Sequence, residues 1–270
     1  MNSGDTNSRV EYPVGLSRGS EVPLVGQAPP DIARLRQVLQ TTDAIAVLTG
    51  AGISAESGIP TFRGAGGLWR NYAAEDLATP EAFARDPRLV WEWYDWRRGI
   101  IHKAQPNPGH LALAALEQQA AGRRGSFTLI TQNVDSLHDR AGSRNVLKLH
   151  GDIWLVRCTV CGAAERNEKV PLGDLPPRCR CGALLRPGVV WFGESLPREE
   201  WERACEASCR ARLMLVVGTA AVVYPAAGLA GIARAAGAKV GIINPGETPL
   251  DSAADWILRG TAGEILPGLL

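Results

Sequence analysis

From residue 32 onward, short apolar runs of strand length alternate with stretches of helical periodicity. Ile32, Leu35, Val38 and Leu39 are spaced to line one face of a helix. They lead into a continuous apolar run at 44–48, closed by Thr49 and a glycine loop. Similar runs recur at 127–130, 146–149, Leu213–Val217 and Lys239–Ile243, with helix-like stretches at 111–121 and 226–236 between them. Short buried strands alternating with helices predict a parallel sheet covered on both faces, an α/β, Rossmann-like doubly wound fold. Residues 157–185 break the rhythm with Pro, Gly, Arg and four of the six cysteines, which predicts a small inserted module. The expected organisation is a flexible extension over residues 1–28, a main domain built from 29–156 and 186–270, and the module between.

Composition narrows the class. At 270 residues and 45% hydrophobic content the chain can bury a sizeable core. A formal net charge of +1, without a basic block, gives no reason to expect direct nucleic-acid binding. No apolar run approaches the roughly 20 residues of a membrane-spanning helix. The polar N-terminal stretch does not resemble a signal peptide, so a cytoplasmic protein is expected.

The candidate chemistry collects at strand ends. Gly50-Ala51-Gly52 follows the first strand directly, and glycines there let backbone N–H groups approach a phosphate. A tight strand-to-helix turn without any ligand needs similar glycines. The acidic residue that a hydride-transferring dehydrogenase would place some 20 positions on falls at Glu75 or Asp76, in a loop or helix, so that class fits poorly. Gln132-Asn133-Val134-Asp135 follows the second strand, where open α/β sheets bind ligands, although Asn133 or Asp135 could equally cap the next helix. His150 ends the run at 146–149, where a neutral imidazole could act as a general base. His102, His110 and His138 read as structural. Cys158-x-x-Cys161 and Cys179-x-Cys181, with 17 residues between the pairs, suit a closed tetrahedral zinc site better than a redox pair.

These separate signals occur in an order that resembles the sirtuin family of NAD-dependent protein deacylases. The resemblance is carried by GAGISAESGIPTFRG from residue 50, TQNVD at 131–135, LHG at 149–151, the cysteine pairs, LLRPGVVWFGE at 184–194, Gly218-Thr219 and Asn244. It covers about residues 32–270 and implies NAD as co-substrate and one structural zinc. The NAD diphosphate would lie on Gly50, Ala51 and Gly52, with Phe62, Arg63 and Trp69 covering the nicotinamide ribose. Gln132, Asn133, Val134 and Asp135 would orient nicotinamide. Gly218, Thr219, Ala220, Asn244, Pro245, Gly246 and Ala262 would hold the adenosine end.

The resemblance makes His150 the general base, with Asn133 and Asp135 beside it in catalysis. In the implied reaction the acyl oxygen of an acyl-lysine displaces nicotinamide. His150 then helps a ribose hydroxyl attack, and water completes release of lysine and O-acyl-ADP-ribose. The protein substrate would add as an extended strand along Val189, Val190, Phe192, Gly193 and Glu194. Ala74, Tyr94 and Arg97 resemble the class that removes succinyl and malonyl groups, with Tyr94 and Arg97 binding the acyl carboxylate. A plain deacetylase, a mono-ADP-ribosyltransferase and a zinc-ribbon binding module are the competing expectations. Two positions depart from the family pattern: Ala220 replaces a serine, and the second cysteine pair has one residue between its members.

Overall fold

The computed structural model describes Met1, residues 30–61 and residues 69–270. The expected N-terminal extension, apart from Met1, and the positions Phe62 and Arg63 lie outside the described residues.

The chain opens with helix α1 (Pro30–Thr41), strand β1 (Ala44–Thr49) and the single-turn helix α2 (Gly52–Ala55). Helices α3 (Ala74–Leu77), α4 (Pro80–Arg85), α5 (Pro87–Lys103) and α6 (Pro108–Gly122) follow. Strand β2 (Ser126–Thr131), the short α7 (Leu137–Arg140) and β3 (Val146–Lys148) return to the sheet. Strands β4 (Gly151–Cys158), β5 (Ala164–Arg166) and β6 (Leu185–Val189) form a second, smaller sheet. The chain ends with α8 (Arg198–Arg210), β7 (Leu213–Val217), α9 (Leu229–Ala235), β8 (Lys239–Ile243), β9 (Trp256–Leu258) and α10 (Ala262–Ile265).

The large sheet has the order β3-β2-β1-β7-β8-β9, and every adjacent pair is parallel. Alternation along β1 explains the two covering layers. Ile45 and Val47 join the cluster that contains Leu35, Leu113 and Leu215. Ala46 and Leu48 join Ala204, Leu229 and Ile242 on the opposite face. Each of these side chains is almost fully removed from water, so strands with no polar face are the ones that both helix layers require.

The small sheet is antiparallel, in the order β5-β4-β6. A third apolar cluster fills the space between it and α5, with Trp91, Trp93, Tyr94, Trp154 and Trp191 at its centre. Helix α5 is started by Pro87 at its first turn and by the Asp86 side chain, which accepts from Leu89 N–H. It is locked to the small sheet by polar contacts: Trp91 donates to the Leu185 carbonyl at 2.8 Å, and Arg98 donates to the Ile153 carbonyl at 3.1 Å.

Two segments differ from the sequence pattern. The helix expected from 111 begins at Pro108, because the Asn107 side chain accepts from the N–H groups of Gly109 and His110. The stretch at 226–236 starts as a 3₁₀ turn and becomes an α-helix only at Leu229. No helix among the described residues is long and apolar enough to cross a membrane.

Candidate active site

From β1 the chain proceeds to β2 on one side, while β7 occupies the other side. The crevice at the carboxyl ends of β1 and β7 is therefore the switch point where open α/β sheets bind ligands. The glycines of the first loop are required there by packing. A Cβ on Gly50 would lie 2.6 Å from Thr219 Cβ, and one on Gly52 would lie 2.7 Å from the Gly218 carbonyl oxygen. Gly218 itself has φ +58°, a conformation that suits glycine. Gly52 N–H donates to that carbonyl at 2.8 Å, so the two loops are laced together.

The turn after β2 joins the same knot. Asn133 donates to the Gly50 carbonyl at 3.0 Å, and Gln132 donates to Thr219 Oγ1 at 3.2 Å. Asp135 is buried and accepts from Ser54 Oγ at 2.8 Å and from Leu137 N–H at 2.9 Å. It thus accepts from the first N–H of α7 without being its N-cap, which is Ser136, and still faces the crevice. Burial holds its carboxyl above the usual carboxylate range, opposed by these two donors and by the nearby Arg97. Ala51, Asn133, Val134, Asp135 and Arg97 line one cleft together with Ser54, Ile59 and Pro60.

His150 follows β3 and immediately precedes β4, between the two sheets. Its Nδ1 lies 2.9 Å from the Gln132 carbonyl oxygen. A carbonyl can only accept, so Nδ1 carries the proton and Nε2 of the neutral ring is left unprotonated, able to accept a proton. Burial pushes its pKa below the ordinary imidazole value, partly offset by that carbonyl. The ring is consequently neutral near pH 7, as proton abstraction requires.

Gly218 and Thr219 sit beside the glycine loop, with exposed Ala220 following them. Asn244 directly follows β8, and its side chain donates to the Gly246 carbonyl at 2.9 Å. Ala262 is buried at the start of α10, against Gly109. Trp69 is buried beside Trp96, with ring centroids 6.3 Å apart. Ala74 is also buried.

Tyr94 and Arg97 are both buried on α5. Trp191 donates its indole N–H to Tyr94 Oη at 2.9 Å, and Arg97 lies over the Trp93 ring at 5.4 Å while reaching the cleft. Burial lowers the Arg97 pKa and raises that of Tyr94, and the attraction between the two opposes both shifts. Val189 ends β6, Val190 N–H donates to the His150 carbonyl at 2.9 Å, and Phe192 is exposed. Beyond Gly193, Glu194 is held by a two-pronged pairing with Arg186 at 2.6 and 2.8 Å.

The four cysteines converge outside the crevice. Cys158 and Cys181 sulfurs are 3.5 Å apart, Cys161 and Cys179 sulfurs are 3.7 Å apart, and all four lie within 4.8 Å of one another. A zinc ion with bonds of about 2.3 Å needs tetrahedral edges of about 3.8 Å, so the set fits one structural zinc. The Cys-x-Cys spacing is accommodated because the Gly182 turn, closed by Gly182 N–H on the Cys179 carbonyl, folds Cys181 back.

Sequence reasoning missed the polar layer behind the cleft. His138 Nε2 is 3.0 Å from Thr49 Oγ1, His110 Nε2 is 3.4 Å from Ser54 Oγ, and the two rings are 4.9 Å apart. Only one signal pointed there: His138 follows Asp135 by three residues, about one helical turn.

A Sir2 family model matches residues 50–225, and the chain belongs to that family. It is 56% identical to NAD-dependent protein deacylase 2 of Pyrobaculum aerophilum, over 83% of this chain and 88% of that one. It is 58% identical to the NAD-dependent protein deacylase of Aquifex aeolicus, over 81% and 90%. Among solved structures, a Sir2 homolog–NAD complex superimposes with a TM-score of 0.83 at 51% identity, covering 88% of this chain and 91% of that one. A Sir2–p53 peptide–NAD complex does so with a TM-score of 0.79 at 35% identity, covering 87% and 95%.

Proposed function

We propose that this chain, an NAD-dependent protein deacylase of the Sir2 family, prefers lysine acyl groups that end in a carboxylate, succinyl and malonyl, over acetyl. The observation that carries the preference is the buried Arg97, which lines the same cleft as Asn133 and Asp135 and lies one helical turn from Tyr94. A guanidinium inside an apolar wall binds a carboxylate with paired, charge-assisted hydrogen bonds, and a phenol can add another. Ala74, as a small buried residue, leaves room for the longer acyl chain.

In this reading the backbone of Gly50, Ala51 and Gly52 cradles the NAD diphosphate. The turn at 132–135 orients nicotinamide, and Gly218, Thr219 and Asn244 hold the adenosine end. His150 Nε2 takes the proton of a ribose hydroxyl. An acyl-lysine segment lies extended along Val189, Val190 and the exposed Phe192, as a strand added to an edge. Overall, acyl-lysine, NAD and water give lysine, nicotinamide and O-acyl-ADP-ribose. The purified chain, mixed with NAD and matched succinyl, malonyl and acetyl peptides, is expected to release nicotinamide and free lysine with the highest kcat/KM on the acidic acyl groups. Equal or better use of acetyl would reject the preference. Nicotinamide release with an ADP-ribosylated protein and no deacylated peptide would reject deacylation itself.

A further inference from the structure

The two motifs that carry the chemistry, the turn at 132–135 and His150, are zipped together by a ladder that ends in a buried ion pair. Leu149 N–H donates to the Thr131 carbonyl at 3.0 Å, His150 Nδ1 to the Gln132 carbonyl at 2.9 Å, and Ile153 N–H to the Val134 carbonyl at 3.0 Å. The next rung is made by side chains. Asp152, 4% exposed, accepts from Ser136 Oγ at 2.9 Å and from Lys148 Nζ at 2.8 Å through one oxygen. Its other oxygen accepts from Trp154 N–H at 2.8 Å. Lys148 also pairs with Asp139 of α7 at 2.8 Å, and Arg166 of β5 approaches Asp152 at 3.5 Å.

The placement is informative. Lys148 and Asp152 flank His150 by two residues on either side, one ending a strand of the large sheet and the other in the small sheet. Ser136 directly follows Asp135 and has φ +61°, a conformation costly for a residue with a Cβ. Its hydroxyl bond to Asp152 helps hold it there. A carboxylate this buried is stable only because cations and donors surround it. Burial tends to raise the Asp152 pKa, but Lys148, the Trp154 N–H and Ser136 together outweigh it and keep the carboxyl ionised.

We propose that Asp152, held by Lys148 and Ser136, is a positioning residue that fixes His150 against the 132–135 turn across the junction of the two sheets. This rests on reading His150 as the general base, and that reading is tested in the same experiment. Loss of the pin would let the His150 segment shift against the turn, and displacements near 1 Å cost catalysis heavily. The step that expels nicotinamide uses the turn and not the base. It should survive loss of the pin, while the step that needs His150 should not.

The experiment compares full-length wild type with Asp152→Asn, Lys148→Met, the double variant and His150→Ala. It measures nicotinamide–NAD exchange in the presence of acyl peptide, deacylation, KM for NAD and thermal midpoint. We expect Asp152→Asn and Lys148→Met to keep exchange and KM within about threefold, and to lose about tenfold or more in deacylation kcat. The double variant should stay equally slow, since neutralising both charges does not rebuild the pin. Should Asp152→Asn yield no folded protein, Ser136→Ala decides, with a smaller loss confined to deacylation. Exchange and deacylation falling together, deacylation unchanged, or full recovery in the double variant would each overturn the proposal. If His150→Ala itself deacylates normally, the reading of the base falls and this inference with it.

Discussion

His150 Nδ1 and the Gln132 carbonyl oxygen lie 2.9 Å apart, so the backbone of one strand end dictates the tautomer of the residue at the next. The consequence is chemical: Nε2 of a ring that burial keeps neutral is the atom available to take a proton.

Replacing His150 by Ala or Tyr should therefore lower deacylation by about 10²–10⁴-fold, with folding and NAD binding retained. Because burial lowers the pKa of the ring, the acid limb of kcat/KM in wild type should fall below about pH 6.5, the ordinary histidine value. Rate assays from pH 5 to 8, beside circular dichroism and NAD titration, check both points. Turnover within tenfold of wild type would place the base elsewhere.

Acid should destabilise the fold through the histidines behind the cleft. Burial lowers His110 from 6.5 to about 4, and lowers His138 well below the ordinary value, with His110 and Lys148 adding to the effect. Both are neutral in the folded and unfolded states above pH 6.5, so they alter nothing there. As pH falls below that value the unfolded chain binds protons that the folded chain refuses. Stability should decline down to about pH 4, by about 3 kcal/mol for His110 alone. Asp135, shifted upward, works in the opposite sense. Thermal midpoints measured from pH 7 to 4 should fall, and His110→Gln should flatten the profile. A midpoint independent of pH across that window would contradict the assignment.

Zinc removal should unfold the small sheet. Cys158 ends β4, and its N–H donates to the Ala163 carbonyl at 2.8 Å, so the ligand set and the strands share residues. Structural zinc stabilises its module outright, and Cys161→Ala or prolonged chelation should give aggregation or a lower thermal midpoint rather than only a slower enzyme. Elemental analysis should find one zinc per chain. A metal-free protein of unchanged stability and activity would refute the site.

Arg97→Met should invert acyl preference. Charged hydrogen bonds contribute about 1.5–3 kcal/mol, which corresponds to a ten- to hundredfold loss of kcat/KM on succinyl peptides. Acetyl peptides should be used about as well as before, since they bring no carboxylate for the guanidinium to hold. An unchanged ratio would show that Arg97 serves only packing.

The sequence by itself determined the sheet and pointed to the strand ends where the candidate site lies. Short apolar runs of strand length, alternating with helical stretches, predicted strands covered on both sides, and β1, β2, β7 and β8 lie where those runs predicted. Gly50, Gly52, Asn133, Asp135 and His150 were legible because chemistry in such folds sits at strand ends, and strand ends are visible in one dimension. The cysteine pairs were legible because thiol ligands come as closely spaced pairs.

Tertiary structure alone decided the rest. Nothing in the spacing of Thr49, Ser54, His110 and His138 says that they meet, since residues 49 and 138 touch only after α6 and β2 bring the chain back. Sequence likewise could not show that Arg97 and Asp135 line one cleft, or that Lys148 and Asp152 close an ion pair around His150. Periodicity reports which face of an element avoids water, because burial repeats with the backbone. Which polar groups satisfy one another inside that face depends on contacts between distant segments, and those exist only once the layers have packed.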